Sequence, residues 1–177
     1  MPIQDFNLYT KNGYAGDLVD SGPRVVQTGI LTDATLGFGK AVSRDASVDN
    51  PRGVKGGTAD TANVKVFAIS QREYNHEASV RPSDGSTAYL ETESVSLIRQ
   101  GYLYIRLVGT TAVTDLSVPL NVVTTGSSGI SPGPDGKAIV LGDFTAVTPG
   151  TGIKATSNVY PDELGGEGDI IKVRIDI

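Results

Sequence analysis

The sequence predicts an all-β domain, and three observations carry that expectation. Residues 102–107 alternate, with Leu103, Ile105 and Leu107 on one side and Tyr102, Tyr104 and Arg106 on the other. The chain ends on the same pattern: Ile171, Val173, Ile175 and Ile177 fall on one face, and Lys172, Arg174 and Asp176 on the other. A period of two sends successive side chains to opposite faces of a strand. Third, 22 glycines, 9 prolines and a single Met suit short strands joined by frequent turns. No segment joins a helical period to capping residues.

Taken in order, residues 1–23 hold Asn12-Gly13, Gly16 and Ser21-Gly22-Pro23 with few regularly spaced apolar residues, which reads as an extended N-terminal arm. Tyr9, Tyr14 and Leu18 would be wasted on a frayed end, so the arm is expected to dock. Residues 24–177 then form one β domain. Residues 24–32 are strand-like with an interruption at Gly29, and residues 36–44 follow with Leu36, Phe38 and Val42 as core candidates. Residues 45–62 are polar and small, a loop or weak hairpin. Residues 64–70 return to alternation with both faces apolar, which predicts a strand buried on both sides. Residues 71–87, with the single histidine, His76, read as an exposed loop.

The most regular segment is residues 94–108. Gly101 interrupts its alternation and reads as a bulge or bend in a long central strand. Its second face, Tyr102, Tyr104 and Arg106, carries residue types enriched at protein–protein contacts. Beyond it, Pro119 belongs on an edge or at a strand start because it has no amide to donate. Residues 125–136 form the clearest loop. Residues 138–147 and 151–155 read as a hairpin turning at Pro149-Gly150, and the final alternation predicts an ordered last strand.

The composition narrows the function. No cysteine is present, so disulfides, thiolate metal sites and a cysteine nucleophile are excluded, and a reducing compartment is favoured. Residues 1–5 lack a basic region followed by an apolar one, so no signal peptide is expected. No apolar run approaches the roughly 20 residues that cross a bilayer, so no membrane association is expected. A net charge of −5 argues against a nucleic-acid partner, which needs clustered Lys and Arg, and is compatible with a basic protein partner.

A search for chemistry finds no catalytic, cofactor-binding or metal residues. His76 alone cannot supply a histidine-rich metal site, and no Ser or Asp accompanies it in a recognisable nucleophile arrangement. Gly37-Phe38-Gly39 lacks the third glycine of a dinucleotide turn, Val42 standing there. Gly136-Lys137 is followed by Ala138 where a phosphate loop needs Ser or Thr. Asp162-Glu163, Glu167 and Asp169 could catch a cation but match no calcium loop. A solvated acidic surface is the simpler reading.

Residues 14–24, Tyr14-Ala15-Gly16-Asp17-Leu18-Val19-Asp20-Ser21-Gly22-Pro23-Arg24, resemble the entry segment of structural cement proteins from tailed-phage heads. There a Y/F-A-G-x-[IV]-A-D-x-x-P-like arm leads into a strand and then a G-[FI]-G-x-[AG]-V element, here Gly37-Phe38-Gly39-Lys40-Ala41-Val42. A short V-F-x-[GI]-[VI] strand at residues 66–69 and a V-S-[VL]-[IL]-x-x-G-x-[IL]-[WY]-V element at residues 95–105 follow in the same order, as does a closing V-x-[IV]-x-[IV] strand. Ala68 stands where the family often has Gly, and Asp17 takes a place usually apolar or neutral.

The resemblance implies a β-barrel or β-sandwich subunit without enzymatic activity or cofactor. Such a subunit, made in the host bacterial cytoplasm, sits in the virion on the outer capsid surface and bridges neighbouring copies of the phage major capsid protein. It implies a homo-oligomer, a trimer being favoured over a dimer because local three-fold sites are common on such shells. On this reading Tyr9, Tyr14, Leu18 and Arg24 are the capsid-contact candidates, and Tyr102, Tyr104 and Arg106 the subunit-interface candidates. Two rivals stand behind it. A carbohydrate-binding or adhesin-like β-sandwich would need aromatic platforms, which no Trp and 4 Phe supply poorly. A trimeric β enzyme of nucleotide or sugar metabolism would need acids converging in an intersubunit cleft.

Overall fold

A computed structural model describes residues 13–19, 22–46, 50–73, 88–125, 130 and 139–176. The described residues form strands and no helix. The elements are β1 (Val25–Leu31), β2 (Thr35–Gly37), β3 (Ala41–Arg44), β4 (Gly53–Gly56), β5 (Ala68–Ser70), β6 (Ala88–Leu90) and β7 (Ser94–Arg106). They continue as β8 (Asn121–Val123), β9 (Phe144–Thr145), β10 (Ile153–Ala155), β11 (Val159–Pro161) and β12 (Ile170–Ile175).

Five strands close a barrel. β1 pairs with β4 in parallel, β4 with β3, β3 with β5, β5 with β7, and β7 returns to β1. Closure leaves these strands without a free edge where they pair. The second half of β7 leaves the ring and carries β12 and then β11, with Ile171 opposite Ile105 and Val173 opposite Leu103. A three-stranded sheet, β10-β8-β9, forms a separate layer, and β2 pairs with β6.

Two cores result. Leu31, Val42, Val54, Ala68, Val95 and Leu97 come from every strand of the ring and fill it together with Leu36, Phe38 and Tyr89. The Phe38 and Tyr89 rings meet edge to face with centroids 5.2 Å apart, and the Tyr89 hydroxyl donates to the Gln71 carbonyl at 2.7 Å. The second core joins Ala41, Ile69 and Ile98 to Leu103, Ile105, Val122, Phe144, Ile171, Val173 and Ile175. Chain neighbours Ala41 and Val42, Ala68 and Ile69, and Leu97 and Ile98 therefore divide between the cores, and β3, β5 and β7 are a wall buried on both faces.

A polar junction pins the layers. The Lys40 ammonium pairs with the buried Asp143 carboxylate, whose other oxygen accepts the Val140 amide at 2.8 Å. Beside it the Ala41 amide donates to the Gly142 carbonyl at 2.8 Å. A Cβ on Gly142 would lie 2.5 Å from the Ala41 carbonyl oxygen, and its φ of +83° is left-handed, so glycine is required there.

Several expected elements differ. Residues 36–44 are two strands, β2 and β3, parted by a turn at Phe38–Gly39 where Gly39 has φ +68°. The region 45–62 contains β4, a wall strand of the barrel. Of residues 64–70 only β5 is regular, because the buried Asn158 side chain takes over both backbone groups of Val66, each at 2.9 Å. The expected hairpin of residues 138–155 does not form: β9 and β10 are separated by β8, which pairs with both. β1 runs through Gly29 without interruption, whereas its ladder with β7 shifts register between Val25 and Val26, opposite Gln100 and Ile98. Most of the region 71–87, with His76, and Ile177 lie outside the described residues.

Asp143→Ala should leave the Lys40 ammonium in a half-buried site without its counter-charge. We expect a loss of about 3 kcal/mol in unfolding free energy by urea titration. Asp115→Ala, which removes only an exposed contact to Ser117 within its own turn, should cost under about 1 kcal/mol.

Candidate functional site

Residues 13–19 of the arm lie along the second half of β7. The Gly16 amide donates to the Tyr104 carbonyl at 2.7 Å, the Tyr104 amide to the Asp17 carbonyl at 2.9 Å, and the Val19 amide to the Tyr102 carbonyl at 3.2 Å. Leu18 bridges to Leu103 and packs its side chain on the second core. A turn precedes this stretch, closed by the Asp17 amide on the Tyr14 carbonyl at 2.9 Å and by the Tyr14 amide on the Asp17 carboxylate at 2.8 Å. Asp17, unusual for the resembling family, thus satisfies an amide and stands 4.0 Å from Arg72 Nε.

The two glycine motifs meet here. A Cβ on Gly16 would lie 2.8 Å from Phe38 Cβ and from the Arg72 amide nitrogen, and one on Gly39 would lie 2.9 Å from the Gly16 nitrogen. The A-G of the arm and the G-F-G after β2 are therefore one close backbone contact, which a side chain on either would separate.

The turn presents Tyr14 to solvent with 64% of its surface exposed. The Arg72 guanidinium sits 4.0 Å from its ring centroid, so the ring is held by a cation and not left to rotate freely. Arg24 is also exposed and passes against Gly101. Leu18 is half-buried with its side chain against the second core, and Tyr9 lies outside the described residues.

The β7 candidates lie under and beside the same arm. Tyr104 is half-buried against Gly13, and Tyr102 half-buried against Gly22. Arg106 does not share the outer face of the two tyrosines: it is only 8% exposed, lying in a run with Leu107 and Val108 where the alternation ends. The sequence treats arm and strand as separate surfaces, and the structure makes them one. Across the strands the outer face continues through Lys172 and Arg174 to Tyr160. Lys172 Nζ is 4.9 Å from the Tyr102 ring centroid and the Arg174 guanidinium 5.5 Å from that of Tyr160.

Residues 1–176 match the model of a phage family described as structural cement protein (E217 gp24/Pam3 gp6). The chain belongs to this family. Cement-protein membership makes it a structural, capsid-associated phage protein. Comparison with curated proteins yields no match. Among solved structures, a chain of "The capsid of Myoviridae Phage XM1" shares the fold, with a TM-score of 0.62, 16% sequence identity, and coverage of 93% of this chain and 91% of that one.

Three of the four acids that could have held a cation in this cement protein are used internally. Asp162 pairs with Lys172 at 2.6 Å, Glu163 accepts the Lys172 amide at 3.1 Å, and Asp169 accepts the Gly166 amide at 2.7 Å. Among the described residues no three metal-ligating side chains converge. Sequence reasoning missed Arg72 and Tyr160, and no spacing signal could have found them, because only the arm turn and the β11–β12 pairing bring them to this face.

Two of the described groups bear on the alkaline limit. Burial pushes the Tyr89 hydroxyl well above the ordinary phenol range, and the nearby Glu73 charge adds to it. The hydrogen bond to Asp162 raises the Lys172 ammonium, an effect that solvent weakens. Both keep their protons longer folded than unfolded. The stability they contribute is therefore complete below about pH 10 and is lost as pH rises through the folded values. The melting temperature should hold from pH 7 to 9 and fall above pH 10. Tyr89→Phe should melt lower at pH 8, for loss of its hydrogen bond, yet decline less steeply above pH 10; equal slopes would remove Tyr89 from this account.

Proposed function

We propose that this cement protein binds the outer surface of an assembled phage capsid and bridges neighbouring major capsid proteins, as a homo-oligomer with three subunits favoured over two. The observation that carries the reading is Tyr14: a large aromatic side chain held in solvent by a turn whose backbone is anchored on β7. An exposed ring at a rigid position loses little conformational freedom on binding, which suits an anchor residue. Arg24, also exposed, is the second candidate for this contact. The role is mechanical and needs no catalysis. A ligand of the assembled shell adds its binding free energy to shell stability. A contact of about 800 Å² per partner suffices for specificity, and repetition around the shell multiplies it through avidity.

Tyr102, flanked by Lys172, Arg174 and Tyr160, supports a subunit contact on the same sheet face. Tyr104 contributes by seating the arm.

Purified protein should co-sediment saturably with assembled shells lacking it, should leave free major capsid protein in the supernatant, and should raise the temperature at which shells disrupt. Tyr14→Ala should weaken pelleting at least tenfold with an unchanged melting temperature. Absence of wild-type binding to matched shells would sink the reading. For the subunit contact, Tyr102→Ala with Tyr104→Ala should lower the mass measured by light scattering to that of a monomer, and an oligomer of unchanged mass would exclude this face.

A further inference from the structure

Two guanidiniums, Arg44 on β3 and Arg99 on β7, flank one ring, that of Phe67 just before β5. The Arg44 guanidinium lies 4.9 Å from the Phe67 centroid and that of Arg99 lies 4.7 Å from it. Lys65, Phe67 and Arg99 line a cleft of 240 Å³, closed by Val66, Asn158 and Asp176. None of the three cations has a carboxylate partner among the described residues. Arg99 makes only a long contact, 3.5 Å from Nη1 to the Gln27 amide oxygen, and its Nε is buried without an acceptor. Six other cations each face an acid: Lys40, Lys55, Arg72, Lys154, Lys172 and Arg174. In a chain with 20 acidic and 15 basic residues, two un-neutralised guanidiniums on one ring, with Lys65 lining the same cleft, run against the overall charge.

Two guanidiniums on one ring repel each other, and a buried N–H without an acceptor is costly. An incoming carboxylate eases the repulsion, because it pairs with the Arg99 guanidinium where that lines the cleft and screens Arg44 from Arg99. The planar guanidinium fork matches a carboxylate in two parallel hydrogen bonds. Asp176 does not play this part, since its Oδ2 accepts from Arg174 Nε at 3.0 Å, and the Asn158 amide is spent on Val66 and on the Asp176 carbonyl. The cleft is smaller than the ~300–1,000 Å³ of small-molecule pockets, a size for one side chain. We propose that it receives an Asp or Glu side chain from an acidic segment of the capsid protein, a second contact besides the arm. The choice of partner rests on the proposed function; the choice of chemistry rests on the cleft alone.

The test has two arms on the full chain. In the first, acetylated hexaglutamate, hexalysine and inorganic phosphate are titrated while the Arg99 Nε–H resonance is followed by NMR. Hexaglutamate should shift that resonance and hexalysine should not. The shift should need at least tenfold more peptide in the double variant Arg44→Glu, Lys65→Glu, whose replaced side chains are exposed. No shift with hexaglutamate overturns the site, and an equal shift with phosphate reduces it to a plain anion site and overturns docking. In the second arm, the double variant should pellet with shells at least tenfold more weakly than wild type, with Arg52→Glu, exposed and not among the residues lining the cleft, as an unchanged control. Equal pelleting of the double variant overturns the capsid as partner. Wild type that fails to pellet overturns the proposed function and, with it, the partner, whereas the peptide titration still decides the cleft.

Discussion

Three strands of the seven-stranded sheet and the arm are hydrogen-bonded to β7. Over 13 residues it pairs with β1 and β5 in the barrel, then with β12 and the arm outside it. Its side chains must serve two cores, and they change allegiance at one peptide bond: Val95 and Leu97 enter the barrel, and Ile98, Leu103 and Ile105 enter the second core. Each of these buried aliphatic residues is worth roughly 1.5–3 kcal/mol of transfer free energy. The strand is therefore the shared wall that keeps two small cores from behaving as independent units. Its outer residues inherit a fixed position from it, which is why the arm, the tyrosines and the cationic face have defined geometry at all.

Polar groups then set how the layers are oriented. Apolar packing is tolerant of small slides, but the Lys40–Asp143 pair and the Gly142–Ala41 backbone contact accept one arrangement. Asn158 does the same at the far side, using its amide on Val66 and on the carbonyl of Asp176. A satisfied buried amide costs little and a displaced one costs much, so these residues penalise misaligned layers.

Much of this was legible from residue patterns, and the rest had physical reasons to stay hidden. The alternations at 102–107 and 171–175 turned out to be strands paired with each other, because a half-buried face writes a period of two into the sequence. The arm motif and the G-F-G element were visible, although their meaning, a backbone contact between Gly16 and Gly39, depends on tertiary structure. Two-residue and three-residue strands such as β6, β9 and β11 are too short to establish a period. Arg106 misled because it continues an outward alternation into a region where both faces are covered. The cluster of Arg44, Phe67 and Arg99 joins positions far apart in the chain, and strand order alone brings them together.

The order in which β7 gains its partners has a kinetic consequence. All five barrel strands have left the ribosome once residue 106 has, so the ring can close while the chain is still being made. β12 comes from the final residues, 170–175, and supplies Ile171, Val173 and Ile175 to the second core. Pairings this distant in sequence close slowly. Until then the apolar side of Leu103 and Ile105 stays uncovered, and the outer face of Tyr102, Lys172 and Arg174 does not exist. The face formed by Tyr102, Lys172 and Arg174 is therefore complete only when β12 has paired with β7.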